Sequence, residues 1–197
     1  MIYQNLLDLI GNTPIFHYGC VEGNDIYVKL EMANPALSVK DRVARQMIVD
    51  LQKEGKLQPG TQLVEATSGN TGIGLAFVSA VEGLSLTVVM PENMSAERIN
   101  LMKAYGAKVV LTPKEKGMKG AEDYAAELGK HGFLFLNQFE NQSNTRAHEL
   151  TTAKEIIADF PDGLDFFVAG VGTAGTLIGN ARVLKKRYPS LRVIAVE

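Results

Sequence analysis

The sequence has a single cysteine, no excess of either charge and no long apolar run, and each absence excludes a class of protein. With only Cys20, the 197-residue chain cannot form an internal disulfide. Its 20 basic and 22 acidic residues argue against a surface for nucleic acid or anionic membranes. Every apolar run is interrupted before the roughly 18 residues needed to cross a bilayer. No secretory leader is evident, so we expect a soluble protein of the cytoplasm.

The sequence does contain a repeated alternation of apolar runs and segments of helical period from about residue 60 onward. Continuous apolar runs predict strands at 62–66, 86–90, 108–111, 133–136, 165–169 and 192–196. Helices are predicted between them at 73–81, 96–105, 121–128, 146–160 and 177–188. Gly106 and Gly129 are placed to end two of these helices in the left-handed conformation. Such strands are typical of parallel sheets covered on both faces, so we predict an α/β fold.

The first 60 residues follow a different pattern, which predicts a hairpin and one helix. Strands at 15–18 and 26–30 flank a turn at 22–25. The helix after them has apolar residues along one face at Val43, Met47, Ile48 and Leu51. Ser38 and Asp41 resemble a capping box at its start.

A glycine-rich turn from Gly170 to Thr176, between a predicted strand and a helix, is suited to hold an anion. Glycines let backbone N–H groups approach a ligand, and the helix N-terminus adds about half an elementary positive charge. Thr173 and Thr176 add hydroxyl donors, which suits a phosphate monoester. A tight turn without a ligand explains the glycines equally well.

The same turn also matches the G-x-G-x-x-G fingerprint of dinucleotide-binding proteins, through Gly170, Gly172 and Gly175. Glu197 follows at close to the ~20-residue distance at which the fingerprint's acidic residue is expected. An NAD-binding module is therefore an alternative. Against it, this turn lies late in the chain, whereas the fingerprint normally opens the first βαβ unit.

A second turn, from Thr67 to Gly72, also joins a predicted strand to a predicted helix. It lacks the Gly-Lys-Ser/Thr ending of a nucleotide P-loop. Its hydrogen-bonding side chains are Thr67, Ser68, Asn70 and Thr71, and at a helix N-terminus they suit a small carboxylate. A helix cap needs only one such residue, so capping alone does not account for the set.

Lys40 falls in the first turn of a predicted helix, where the macrodipole disfavours a cation. If its side chain is also desolvated, both effects favour the neutral amine that attacks an aldehyde. An exposed lysine paired with a neighbouring acid is the ordinary alternative. Taken together, the lysine and the two turns are what pyridoxal phosphate and an amino-acid substrate require.

Several longer stretches resemble, in order and in register, the cysteine synthase family of fold-type II pyridoxal-phosphate enzymes. They are 10–14, 34–42, 65–72, 90–106, Gln138-Phe139 with Asn141, and 172–176. The resemblance implies two α/β domains of parallel or mixed sheet flanked by helices, similar to the tryptophan synthase β chain. Residues 1–35 would begin the large domain, 36–145 would form a small mobile domain, and 146–197 would continue the large one. Family members extend further, which implies a truncated chain with an incomplete large domain.

The resemblance also assigns roles to residues of this chain. Lys40 would be the catalytic residue and would carry the cofactor as a Schiff base. Cofactor contacts would come from Asn70, Gly172, Thr173, Ala174, Gly175 and Thr176. The substrate carboxylate would be held by Thr67, Ser68, Thr71 and Gln138. No metal is implied, and His17, His131 and His148 lack ligand spacing and are expected on the surface or in packing.

The implied enzyme is an O-acetylserine sulfhydrylase, a transferase that makes L-cysteine from O-acetyl-L-serine and sulfide by β-replacement through an aminoacrylate. Cystathionine β-synthase, or another β-replacement on serine derivatives, is an alternative, as is a non-catalytic truncated form. The implied protein partners are a second copy, in a homodimer, and serine acetyltransferase. Two positions depart from the family's usual pattern: Ala36-Leu37 replaces a glycine pair, and Gln142 replaces a proline.

Overall fold

The computed structural model describes residues 2–197, and its strands form three sheets. The strands are β1 (Ile15–Val21), β2 (Asn24–Lys29), β3 (Gln62–Ala66), β4 (Ser85–Pro91), β5 (Lys108–Thr112), β6 (Leu134–Phe135), β7 (Phe166–Gly170) and β8 (Arg192–Val196). A central parallel sheet has the order β5-β4-β3-β6. β1 and β2 form an antiparallel hairpin, and β7 and β8 form a parallel pair. The predicted α/β fold is confirmed.

The helices are α1 (Lys40–Lys53), α2 (Asn70–Glu82), α3 (Ala96–Ala104), α4 (Gly117–Lys130), α5 (Gln142–Ala147), α6 (Ala153–Asp159) and α7 (Gly175–Arg187). The helix predicted over 146–160 is present, since the chain is helical from 142 to 159, but it is not regular: a π-helical turn at His148–Thr152 lies between α5 and α6. Within this turn Thr151 Oγ1 donates to the Ala147 carbonyl at 2.6 Å and competes with the regular helical ladder.

Buried apolar side chains cover both faces of the central sheet. Leu63 and Val88 belong to a cluster that contains α1 and α2, whereas Val64 and Val89 pack with α4. Successive residues of a strand therefore enter opposite cores, which explains the continuous apolar runs. On β7 and β8 one face is covered within this chain, and the apolar residues Phe166, Val168, Ile194 and Val196 of the other face are exposed. The residues beneath the covered face form a third cluster with α6 and α7.

Turn and cap predictions are confirmed in part. The hairpin turn is shorter than predicted, with Glu22 and Gly23 both left-handed between paired Val21 and Asn24. Gly106 is left-handed as predicted, but Gly129 lies inside α4 and Gly132 takes its role at φ +92°. The Leu128 carbonyl accepts from Phe133 N at 3.2 Å there, which is the six-residue bond of a Schellman cap.

The described residues hold no helix with the length and apolarity to span a membrane. Nor does this part of the chain gather three or more His, Cys, Asp or Glu side chains in an arrangement that could bind a metal.

Candidate active site

Three helix N-termini, with the turns that lead into them, carry the predicted site residues other than Gln138, which lies in the loop between β6 and α5. Lys40 is the first residue of α1, Asn70 is the first of α2, and Gly175 is the first of α7. Gly74 lets α2 approach α1, since a Cβ on it would lie 3.1 Å from the Lys40 carbonyl oxygen. The start of α1 is thereby packed against the helix that follows the Thr67–Gly72 turn.

Lys40 is half-buried, and burial lowers the pKa of its amine. Its backbone N–H donates to Ser38 Oγ at 3.1 Å, so Ser38 satisfies a donor at the start of α1 as predicted, although Val39 occupies the cap position itself. Asp41 only partly fits a capping box, because its carboxylate accepts from Ala36 N at 2.6 Å, two residues before Ser38. Among the ion pairs of residues 2–197 none involves Lys40, so the ordinary alternative of a surface lysine paired with an acid does not apply.

The Thr67–Gly72 turn is closed on one side by Gln138. Thr71 Oγ1 donates to Gln138 Oε1 at 2.6 Å, and both side chains are buried. Thr67 is also buried, and its Oγ1 accepts from Gly69 N at 3.3 Å. Ser68 is half-buried and Asn70 is exposed. The structure therefore brings together the residues that the sequence predicts for a carboxylate.

Glu65, to which sequence reasoning gave no role, is a buried carboxylate that contacts the backbone of Gln138. Its Oε1 accepts from Gln138 N at 3.3 Å, and the residue is only 1% exposed. Burial raises the pKa of Glu65 to about 8, against the opposing effect of hydrogen bonds from the backbone of Gln138 and Asn137. A charged residue in the apolar run Leu63-Val64-Glu65-Ala66 is the signal that could have identified it.

The Gly170–Thr176 turn forms an open cradle. A Cβ placed on Gly170 or Gly172 would have no heavy atom within 4 Å, so space is left beside the backbone. Ala174 adopts φ +59°, and its left-handed conformation turns the chain into α7. Thr173 Oγ1 accepts from Asn144 Nδ2 at 2.8 Å, and Thr176 Oγ1 lies 3.2 Å from His148 Nε2.

His148 is fully buried, whereas His17 and His131 are exposed, so the expectation of surface or packing positions is confirmed. Its Nδ1 lies 3.0 Å from Thr152 Oγ1, and its other nitrogen faces Thr176 of the cradle. Burial, with the positive charges of Lys40 and Arg42, lowers the pKa of His148 to about 4. The ring is therefore neutral at neutral pH, and its contact with the cradle was not predicted.

A buried arginine anchors α1 two residues after Lys40. Arg42 Nε contacts Glu31 at 2.7 Å and Nη1 contacts Glu155 at 2.6 Å, while Nη2 donates to Thr13 Oγ1 at 3.0 Å. Burial disfavours the Glu155 carboxylate, but hydrogen bonds from Arg42 and Lys29 outweigh it and lower its pKa to about 2. The 10–14 motif is thus tied to the start of α1, a role that sequence reasoning missed.

The structure accounts for both departures from the family pattern. Leu37 adopts φ +65°, the left-handed conformation that a glycine takes without strain, so the loop before Lys40 keeps a glycine-like path. Gln142 is the first residue of α5, directly after the cap Asn141, whose side chain accepts from Ser143 N at 2.9 Å. Proline is favoured at such a position but not required.

The residues of this site fit pyridoxal phosphate. The open cradle with its threonine hydroxyls suits the phosphate group, and the half-buried Lys40 amine with its lowered pKa suits the aldehyde. The Thr71–Gln138 pair lies at the neighbouring helix N-terminus, where a carboxylate would be held.

Comparison with known proteins gives consistent matches. A family model described as "Pyridoxal-phosphate dependent enzyme" matches residues 6–197. A cysteine synthase of Flavobacterium sp. is 51% identical over all of this chain and 66% of its own. The crystal structure of an O-ureido-L-serine synthase superposes with a TM-score of 0.96 at 44% identity, over 100% of this chain and 64% of that one. An O-acetylserine dependent cystathionine beta-synthase from Helicobacter pylori gives 0.93 at 41%, over 100% and 67%. The chain thus spans about two thirds of these relatives.

Proposed function

Because the chain belongs to the family of pyridoxal-phosphate dependent enzymes, we propose that it serves the synthesis of L-cysteine from O-acetyl-L-serine and sulfide. The observation that carries the proposal is that the half-buried Lys40 packs beside α2 and that the two turns are joined through side-chain hydrogen bonds. A cysteine synthase that is 51% identical over the whole chain supports the choice of reaction.

In this proposal Lys40 holds the cofactor and then moves a proton at the substrate α-carbon. When bound, pyridoxal phosphate supplies an aldehyde for the lysine and a ring that withdraws electrons from that carbon. The lowered pKa of Lys40 favours the neutral amine that must attack and later accept the proton. Gly172, Thr173, Ala174, Gly175 and Thr176 hold the phosphate, and Asn70 contacts the cofactor ring.

The substrate carboxylate is assigned to the Thr67–Gly72 turn. Thr67, Ser68 and Gln138 supply hydroxyl and amide donors beside the N-terminus of α2. Thr71, whose hydroxyl proton is donated to Gln138 Oε1, contributes its backbone N–H in the first turn of that helix. Holding the carboxylate fixes the direction of the Cα–H bond relative to Lys40, and this orientation is the main contribution of these residues.

We also propose the division into residues 1–35, a small domain at 36–145 and a second part at 146–197. The buried cluster of α6, α7 and β8 is separate from those of the central sheet, which supports the third part. Leu7 and Ile10 pack in the cluster of the central sheet, so the boundary at residue 35 rests on the resemblance alone. Closure of the small domain would exclude water from the reacting carbons. A homodimer, a serine acetyltransferase partner and a cytoplasmic location are proposed from the resemblance of the sequence to cysteine synthases.

A different β-replacement is the second candidate. Similarities of 44% and 41% to the O-ureido-L-serine synthase and the cystathionine beta-synthase favour a related reaction with another nucleophile. An NAD-binding module would use only the Gly170–Gly175 turn and Glu197, and it leaves Lys40 and the Thr71–Gln138 pair without a role.

A steady-state assay tests the proposed reaction. The protein is supplied with pyridoxal phosphate and O-acetyl-L-serine, and sulfide, homocysteine and hydroxyurea are compared as nucleophiles. We expect the product with sulfide, cysteine, to form fastest. Faster product formation with another nucleophile would favour the second candidate. Stabilisation against heat by NAD but not by pyridoxal phosphate would support the dinucleotide module. Bound cofactor without any turnover would support a non-catalytic form.

A further inference from the structure

Asn144 lies on α5 between the two binding turns and is 3% exposed. Its Nδ2 donates to the backbone carbonyl of Gln138 at 3.0 Å and to Thr173 Oγ1 at 2.8 Å. Gln138 closes the carboxylate turn through Thr71, and Thr173 belongs to the anion cradle. The buried amide group of Asn144 therefore contacts one residue of the carboxylate turn's site and one residue of the anion cradle.

The orientation of this amide is fixed by its partners. The Gln138 carbonyl can only accept, so the nitrogen of Asn144 must face it. Thr173 Oγ1 then accepts from the same nitrogen, and its own hydroxyl proton is left to donate to an anion in the cradle. The Asn144 Oδ1 atom is buried without a hydrogen-bond partner in the described structure and abuts Gly175, where any Cβ would collide with it.

We propose that Asn144 is a positioning residue that couples occupancy of the anion cradle to occupancy of the carboxylate turn. An anion that accepts the Thr173 hydroxyl proton makes Thr173 Oγ1 a stronger acceptor for Asn144, since linked hydrogen bonds polarise one another. The strengthened bond holds the Asn144 amide against Gln138 and so fixes the backbone that carries the carboxylate-binding side chain. The coupling is reciprocal, so a bound carboxylate tightens the cradle equally. The inference rests on the proposed function.

The test measures the dissociation constant of pyridoxal phosphate with and without saturating propionate, a carboxylate that lacks an amine. Wild-type protein is expected to bind the cofactor about 5-fold more tightly with propionate present, the lower end of typical coupling. Asn144→Ala should bring this ratio close to unity. Thr173→Val, which removes the same hydrogen bond from the other side, should do so too, and it serves if Asn144→Ala does not fold.

Asn180→Ala is the matched control. Asn180 is an equally buried amide near the cradle, but its Nδ2 donates within α7 to the Thr176 carbonyl at 2.8 Å. This variant should lose stability and keep the propionate effect. Full coupling in both Asn144→Ala and Thr173→Val would overturn the inference, as would wild-type cofactor binding that is indifferent to propionate. Wild-type protein that binds no pyridoxal phosphate would overturn the proposed function as well.

Discussion

Thr71 Oγ1 donates to Gln138 Oε1 over 2.6 Å and so joins residues 67 positions apart in the chain. The bond occupies the oxygen of the Gln138 amide and leaves its Nε2 free to donate to a substrate carboxylate. Two side chains that the resemblance assigns to the same ligand thus hold each other in place.

Replacing Thr71 with valine should destabilise the protein by about 1–3 kcal/mol, because a buried amide oxygen loses its donor without a change in side-chain shape. Chemical denaturation measures the loss. Thr71→Ser, which keeps the donor, is the control and should be much closer to wild type. Equal stability of the valine and serine variants would show that the bond contributes nothing to folding.

Glu65 should make the protein less stable as pH rises. Its pKa is raised from 4.5 to about 8 by burial, so between these values the folded state holds a proton that the unfolded state has released. The free energy of unfolding should therefore fall with pH through this window, by at most about 1.4 kcal/mol per pH unit. Glu122 is the charged neighbour that adds to the rise in pKa.

Glu65→Gln isolates this effect. Glutamine stays neutral and keeps an oxygen that can accept from Gln138 N, so the variant should lose the decline in stability and exceed wild type above about pH 8. Denaturation midpoints measured from pH 5 to 9 give the comparison. Parallel pH profiles for the two proteins would show that Glu65 is not the titrating group.

Arg42→Met should destabilise the protein by about 3–5 kcal/mol, since it leaves the Glu31 and Glu155 carboxylates without their buried counter-charge. Thermal or chemical denaturation measures the change. Arg45→Met is the matched control on the same helix: its partner is Asp8 at 3.1 Å in an exposed pair, and such pairs contribute about 0–1 kcal/mol. Similar losses in the two variants would contradict the anchoring role of Arg42.

The sheet was predictable because its signal is local. Buried parallel strands read as continuous apolar runs, and β3 and β8 begin and end where the pattern places them. The π-helical turn within the predicted 146–160 helix was not, since the residues of that turn follow no pattern that distinguishes them from a regular helix. The exposed face of β7 and β8 likewise has no sign in the pattern, because exposure depends on what packs against a strand.

The candidate site likewise contains residues that the sequence predicts and residues that it does not. Lys40 stands out because a cation is disfavoured at a helix N-terminus, and the Thr67–Gly72 turn because it holds more hydrogen-bonding side chains than one cap needs. The Gly170–Thr176 turn stands out by its glycines between a strand and a helix. Asn144 and His148 have no such signal, since a lone amide or imidazole acquires meaning only from the distant residues it contacts. Glu65 lies between these cases. A carboxylate in an apolar strand is unusual enough to indicate a special role, but its contact with Gln138 is not evident from the sequence.

Whether Lys40 carries the cofactor can be measured by reduction of the complex. The protein is incubated with pyridoxal phosphate, reduced with borohydride, digested and examined by mass spectrometry. We expect visible absorbance that is lost on reduction and a pyridoxyl phosphate adduct on the Lys40 peptide. Lys40→Ala should abolish both, and Lys56→Ala, at an exposed lysine, should abolish neither. Adducts spread over exposed lysines without enrichment at Lys40, or unchanged absorbance in Lys40→Ala, would show that Lys40 does not carry the cofactor.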